Sequence, residues 1–447
     1  MTAPRYEYNQ GDLLETPLKY TYTAFQGAPF LEAWRAARAG VRADLGEARA
    51  PMRPELPGTA PQGATVETAL LLEFLAAPGG DAAGSRRWLG WMIQRFEVSK
   101  RVHSVYELRD GHVKSNGDYR AMDLYLRLGE VLAGRAEAGG YLPALNALLK
   151  CLDTLCSQRD MLDASQKARL AWLLEGEARL VEAARISQAS AAAHIDPPAL
   201  PVDLGAFPHV ALLAADTMRS RGYAQALAAH GATLGRVVIV KMPGGAQRLG
   251  QSDAAPSSAD WQDEYFVPDL DIPLEETCKA LSDDVVTLQT GTINAPDVAT
   301  ALPADAFGFV IYSGFGGELV GREVLERSAP LLHMHAGWLP DYRGSTTTFY
   351  SWLRDGAYGA SAIFLSAEID QGVILGRKRY PPPHAGVDGD YLHDAVLRSD
   401  LLLSVMAHLA KTGALPAEMR QQADEGETYY IIHPVLKHIA ILSGEDA

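Results

Sequence analysis

Beyond residue 207 the chain alternates short apolar runs with helical stretches, and this alternation limits the possible folds more than any other feature. Residues 209–214 read as a buried strand, 218–230 as a helix and 237–240 as a second strand. A strand, a helix and a strand in that order imply a parallel sheet covered by helices. Gly231 stands where the helix should stop, and Asp216 or Thr217 where a cap should start it. The turn between strand and helix lacks the G-x-G-x-x-G spacing, so the Rossmann-like opening does not imply a dinucleotide. Arg219 and Arg221 in that turn read as surface arginines, with contact to an acidic substrate at the helix N-terminus as the alternative. Further strands are expected at 284–288, 307–312, 360–365 and 373–377, with helices at 347–355 and 391–411. The tail at 428–434 reads as a docked edge segment.

Upstream the pattern differs. Segments 66–77, 84–97, 118–135, 141–157 and 164–186 place apolar residues three and four apart. Leu145, Leu148, Leu149, Leu152 and Leu155 form one such stripe. The last segment opens at Asp163, a good N-cap, with Gln166 three residues on. The expected organisation is an all-α helical domain at 1–190, a linker at 191–206 broken by Pro197, Pro198 and Pro201, and a catalytic α/β domain with a mostly parallel sheet at 207–447. The helical part shows no metal-ligand spacing, phosphate loop or nucleophile signature, and reads as a scaffold or a homodimer contact. Its polar stretches at 101–106 and 114–119 read as solvated loops.

The 447 residues carry a formal net charge of −15. That weighs against nucleic acid, whose phosphates need clustered Lys and Arg. Cys151, Cys156 and Cys278 do not make a disulfide framework. No apolar run reaches membrane-spanning length, and residues 1–8 lack the apolar core of a signal peptide. A cytoplasmic protein with no membrane association is expected.

The chemistry concentrates at 329–344. Residues 330–332 read as a strand end, and His333 and His335 follow two apart, so in extended backbone they share a face. Trp338-Leu339-Pro340 turns the chain and Tyr342-Arg343-Gly344 closes the loop. Asp370 follows His335 by 35 residues. A histidine beside an aspartate suits proton transfer. Two histidines and one carboxylate also make a set that binds zinc or non-haem iron.

This arrangement resembles the folate-dependent formyltransferase family, whose motif is Asn-x-His-x-Ser-x-Leu-Pro-x-Tyr-Arg-Gly followed by an Asp-x-Gly loop. His335 and Asp370 match the family's catalytic pair, and Leu339-Pro340-x-Tyr342-Arg343-Gly344 its turn. Two positions depart: His333 replaces the asparagine and Gly337 the serine. The resemblance spans about residues 207–440. It implies 10-formyltetrahydrofolate as formyl donor and an amine as acceptor, a small molecule given the acidic chain. His335 and Asp370 would act as the acid–base pair, with Asp370 orienting the ring and favouring its imidazolium. His333 would serve as a second donor to the oxyanion. Tyr312, Gly314, Phe315, Gly316, Leu319, Glu368 and Ile369 would line the folate site, and glycines there would let backbone approach it. Arg343 is expected to pin the turn and Trp338 to be core. The alternatives are a metal-dependent enzyme using His333, His335 and Asp370, a formyl-folate hydrolase, and a non-catalytic binding module.

Overall fold

The computed structural model describes residues 164–444, apart from 192, 246–263, 270, 384–386, 388, 423–424, 430–431 and 433, together with residues 83, 85–87, 89 and 90. The helical segments expected at 66–77, 118–135 and 141–157, and most of 84–97, lie outside the described residues. The elements run α1 (Ala164–Ala191), β1 (Ala206–Ala215), α2 (Met218–Ala229), β2 (Thr233–Val240), α3 (Leu274–Leu281), β3 (Val285–Leu288), α4 (Pro296–Ala301), β4 (Phe309–Ser313), α5 (Arg322–Arg327), β5 (Leu331–His335), β6 (Tyr342–Gly344), α6 (Thr347–Asp355), β7 (Tyr358–Phe364), β8 (Ile374–Tyr380), a π-turn (Gly389–His393), α7 (Asp394–Thr412), β9 (Glu427–Tyr429) and α8 (Pro434–Ser443).

Seven strands form one sheet in the order β3-β2-β1-β4-β5-β7-β8. The first five are parallel, and β7 and β8 add an antiparallel edge. β1 lies inside the sheet, between β2 and β4, and is apolar on both faces. Val210, Leu212 and Ala214 pack to one side with α2 and α7, while Ala211, Leu213 and Ala215 pack to the other with Val298 and Val324. A strand buried on both faces must read as an unbroken apolar run, which is why 209–214 was legible. Thr217 Oγ1 accepts from Ser220 N–H at 3.2 Å and caps α2, and Gly231 leaves it with a positive φ of 70°.

The strand order reverses between β1 and β4. In open sheets of this kind ligands bind beyond the carboxyl ends of the strands at that point. The ends of β1, β4 and β5 meet there, carrying Thr217, Ser313 and His335.

α1 packs against α6 and α8, with Leu180, Val181, Ala183 and Ala184 in the same apolar cluster as Phe349, Trp352 and Leu436. Its helix continues to Ala191, five residues beyond the end read from periodicity. The segment after it is tied down by a buried ionic cluster. Asp400 on α7, 4% exposed, accepts from Lys378 Nζ and from Tyr380 Oη at 2.9 Å, and its other oxygen accepts from Ala199 N–H at 2.6 Å. Asp400→Ala strands the Lys378 cation, and urea unfolding should show a loss of about 3–5 kcal/mol. The paired change Asp400→Leu with Lys378→Met should recover most of that loss. Equal loss in the single and paired variants would show that the charge pair is not the cause.

Candidate active site

β5 ends in the two histidines. Burial along Leu331–His335 places Leu332 and Met334 in one apolar cluster and Leu331 in the other, while His333 is half-buried and His335 only 4% exposed. In the ladders, His333 stands opposite Tyr312 of β4 and His335 opposite Ser361 of β7. The rings of His333 and His335 lie with centroids 6.5 Å apart, and the edge of Tyr312 meets His333 at 5.6 Å.

The loop after β5 is spliced to its neighbours by polar contacts. Ser361 Oγ donates to Gly337 O at 2.6 Å and accepts from Leu339 N–H at 3.0 Å. Arg377 donates to Leu339 O at 2.6 Å, and the guanidiniums of Arg377 and Arg379 stack on Trp338 at 4.4 and 4.3 Å. Trp338 is thus half-buried, packed against two cations and the edge of the core. Arg343, 3% exposed, donates to Gln421 Oε1 and Gln422 O, so it pins the turn.

Asp370 adopts a left-handed backbone with φ 52°, an uncommon state for a non-glycine residue. Its carbonyl accepts from Gln421 Nε2 at 2.8 Å, and its carboxylate Oδ2 accepts from Gly344 N–H at 2.9 Å. That places Oδ2 3.4 Å from His335 Nδ1. The opposite ring nitrogen, Nε2, lies 2.8 Å from Tyr342 O. Both nitrogens of His335 therefore face oxygen acceptors. A neutral imidazole donates from one of them only, and the imidazolium donates to both.

His333 differs. Its Nδ1 is buried and makes no hydrogen bond. Burial, with the guanidiniums of Arg219 and Arg398 and the neighbouring His335, holds this imidazole well below the usual histidine range, so it is neutral. The two arginines come from different helices. Arg219, in the first turn of α2, donates to Ser313 Oγ at 3.1 Å and Gly314 O at 2.5 Å, and burial lowers its pKa. Arg398 on α7 donates to Asp394 at 2.8 Å and to Met334 O at 2.8 Å. Arg219 and Arg221 are thus not the surface arginines expected from sequence. Arg221 is 7% exposed and paired with Asp216 at 3.4 Å. Packing of α2 against α3 and α7 buries Arg221 and leaves Arg219 half-buried. Arg398 and Gln421 gave no sequence signal, because nothing local marks a helix-borne arginine or a coil glutamine as reaching a strand end.

The residues expected to line a folate site divide into two groups. Tyr312 and Phe315 are 4% and 3% exposed and belong to the core beneath the loop. Burial pushes the Tyr312 phenol up to about 12. Gly314 is small for a reason internal to the fold: a Cβ there would meet Tyr312 Oη at 2.0 Å. Gly316 and Glu368 are exposed, as are Leu319 (66%) and Ile369 (44%). The loop bearing Leu319 is anchored by Glu318, which accepts from Thr292 Oγ1, Ile293 N–H and Asn294 Nδ2.

Comparison with known proteins adds the following. No family model matches the chain. A stretch of 105 residues, 23% of this chain, is 30% identical to a methionyl-tRNA formyltransferase from Helicobacter acinonychis. A stretch of 93 residues, 21% of the chain, is 29% identical to one from Nitratiruptor sp.. The chain spans about 30% of the length of each relative. Among solved structures, a sugar N-formyltransferase from Shewanella aligns over 53% of this chain and 88% of its own, at 14% identity and a TM-score of 0.33. An N-formyltransferase from Helicobacter canadensis aligns over 53% and 80%, at 12% identity and the same TM-score. Scores that low carry no weight. The sequence relatives do belong to the family that the 329–344 motif resembles.

One departure from that motif can be tested directly. A Cβ at Gly337 would lie 2.5 Å from His335 Nε2 and 2.4 Å from Tyr342 O. Gly337→Ser should push the ring off the Tyr342 carbonyl. Imidazole nitrogen NMR should then show His335 Nε2 losing its hydrogen bond. An unchanged Nε2 signal would show that the loop yields instead.

Proposed function

We propose that the chain transfers a formyl group from 10-formyltetrahydrofolate to the amine of a small molecule. The observation that carries this reading is the placement of Asp370 Oδ2 3.4 Å from His335 Nδ1 at the strand-end edge of the sheet, within a motif shared with formyltransferases. In such a transfer the acceptor nitrogen bonds to the formyl carbon and the bond from that carbon to the donor nitrogen breaks. One proton leaves the acceptor and one reaches the donor. The His335–Asp370 pair is suited to hold and pass that proton, each such group contributing about 10²–10⁴ in rate. His333, neutral and on the same face, can direct its N–H at the formyl oxygen as negative charge builds there. Leu319 and Ile369 would shield the donor's ring from water.

The acceptor is proposed as a small molecule because the chain's net charge of −15 repels a polyanion. Among the described residues Arg219 makes no ion pair, although it is half-buried and burial lowers its pKa. A half-buried cation whose hydrogen bonds go only to a hydroxyl and a carbonyl suits an acceptor that carries its own anionic group.

The protein should be incubated with 10-formyltetrahydrofolate and a panel of amines, with and without carboxylate or phosphate groups. Mass spectrometry should find one formyl group gained by an anionic member of the panel. His335→Ala and Asp370→Ala should each retain the fold by circular dichroism and lose at least about 10²-fold in rate. Undiminished turnover in either variant would remove that residue from the mechanism, and no product from any amine would end the formyl-transfer reading.

A further inference from the structure

We propose that His333, His335 and Asp370 form a binding site for one divalent transition-metal ion of the zinc class. The argument starts from the ring of His335. A carbonyl oxygen only accepts, so Nε2, 2.8 Å from Tyr342 O, carries hydrogen. In the neutral ring the lone pair is then on Nδ1, aimed at Asp370 Oδ2 across 3.4 Å. Charge-assisted N–H···O bonds run to about 2.7–2.9 Å, so this spacing is longer than that of a closed pair, which forms only when the two groups draw together. It matches another spacing. Two ligand atoms at ~2.0–2.1 Å from a tetrahedral zinc ion stand about 3.3 Å apart.

His333 supplies the third ligand. One ligand atom from each of the three residues lies within 4.8 Å of the other two. Independently, His333 Nδ1 is buried with no hydrogen-bond partner, and a buried polar atom left unpaired calls for a partner. The His333 ring must move toward the other two for all three atoms to reach ligand spacing.

The supporting groups are already in place. Tyr342 O fixes the His335 tautomer and Gly344 N–H orients the Asp370 carboxylate, the roles that outer groups play around protein-bound metals. The two departures from the formyltransferase motif then have one explanation. His333 adds a ligand where that motif has asparagine, a poor one. Gly337 clears the space a serine Cβ would take, 2.5 Å from His335 Nε2, and so permits the ring pose that turns Nδ1 toward Asp370. Three protein ligands leave a fourth position open. Arg219 and Arg398, grouped around His333, lower the affinity for a bare cation and favour an anion in that fourth position.

An ion and a proton cannot share the Nδ1 lone pair, so loading the site would silence His335 as a proton carrier. That effect on turnover rests on the formyl-transfer reading; the binding itself does not.

The test uses the full chain stripped with chelator, then titrated with Zn²⁺ in a calorimeter and with Co²⁺ by visible absorption. One ion per chain with a tetrahedral cobalt spectrum is expected. His333→Asn and Asp370→Asn should each weaken binding by at least about 10–100-fold, the loss that even an outer group brings, while circular dichroism stays native. Cys278→Ser should bind as the parent does. Failure to bind, or affinity unchanged in His333→Asn, would overturn the proposal. If no amine is formylated yet the ion binds as described, the formyl-transfer reading falls and the metal site stands.

Discussion

The site depends on one backbone hydrogen bond, from Gly344 N–H to the carboxylate of Asp370. It joins a turn and a loop separated by 26 residues and sets the direction in which the Asp370 carboxylate faces His335. Everything around that bond keeps it in place. β6 is held by its pairing with β9, Arg343 grips Gln421 and Gln422, and Gln421 in turn holds the carbonyls of Asp370 and Gly372. The left-handed backbone at Asp370 costs free energy and persists only because its surroundings over-determine it. Main-chain groups and buried side chains, rather than flexible surface residues, set the distance between acid and base.

His333 departs from asparagine in chemistry more than in charge. Asparagine is neutral at every pH, and histidine in water is not. Here the field of two guanidiniums and the loss of solvent keep the imidazole uncharged. The replacement therefore preserves the electrical character of the position while exchanging an amide for a ring with one donor and one lone pair.

Much of this was readable in the residues. The strands at β1, β4 and β7 announce themselves because burial on both faces leaves no room for polar alternation. The pairing of His333 with His335 follows from the two-residue repeat of extended chain. The short helices α4 and α5 left weaker traces. Neither has a side-chain cap bond, and each is only six residues long, too short for an apolar stripe to repeat. α8 was missed although Pro434 opens it, because the preceding tail reads as strand. Arg219, Arg398 and Gln421 were illegible for a different reason. Their significance lies in where α2, α7 and the 414–422 segment come to rest, which no local pattern encodes.

α1 bears on where the chain can be cut. Leu180, Val181, Ala183 and Ala184 are buried with α6 and α8, Arg185 donates to the carbonyls of Leu442 and Ser443, and Gln188 donates to Ser443 Oγ. A truncation starting at residue 191 would strip that cover, leaving an oily groove on the back of the sheet layer and a C-terminal helix with nothing to lean on. Such a fragment would be sticky in solution although every residue of the site remained. A fragment that keeps α1 retains most of that cover, although Leu89, 2% exposed and in the same cluster, would be lost from one that starts just ahead of Ala164; solubility, rather than chemistry, decides how little of this chain can be made alone.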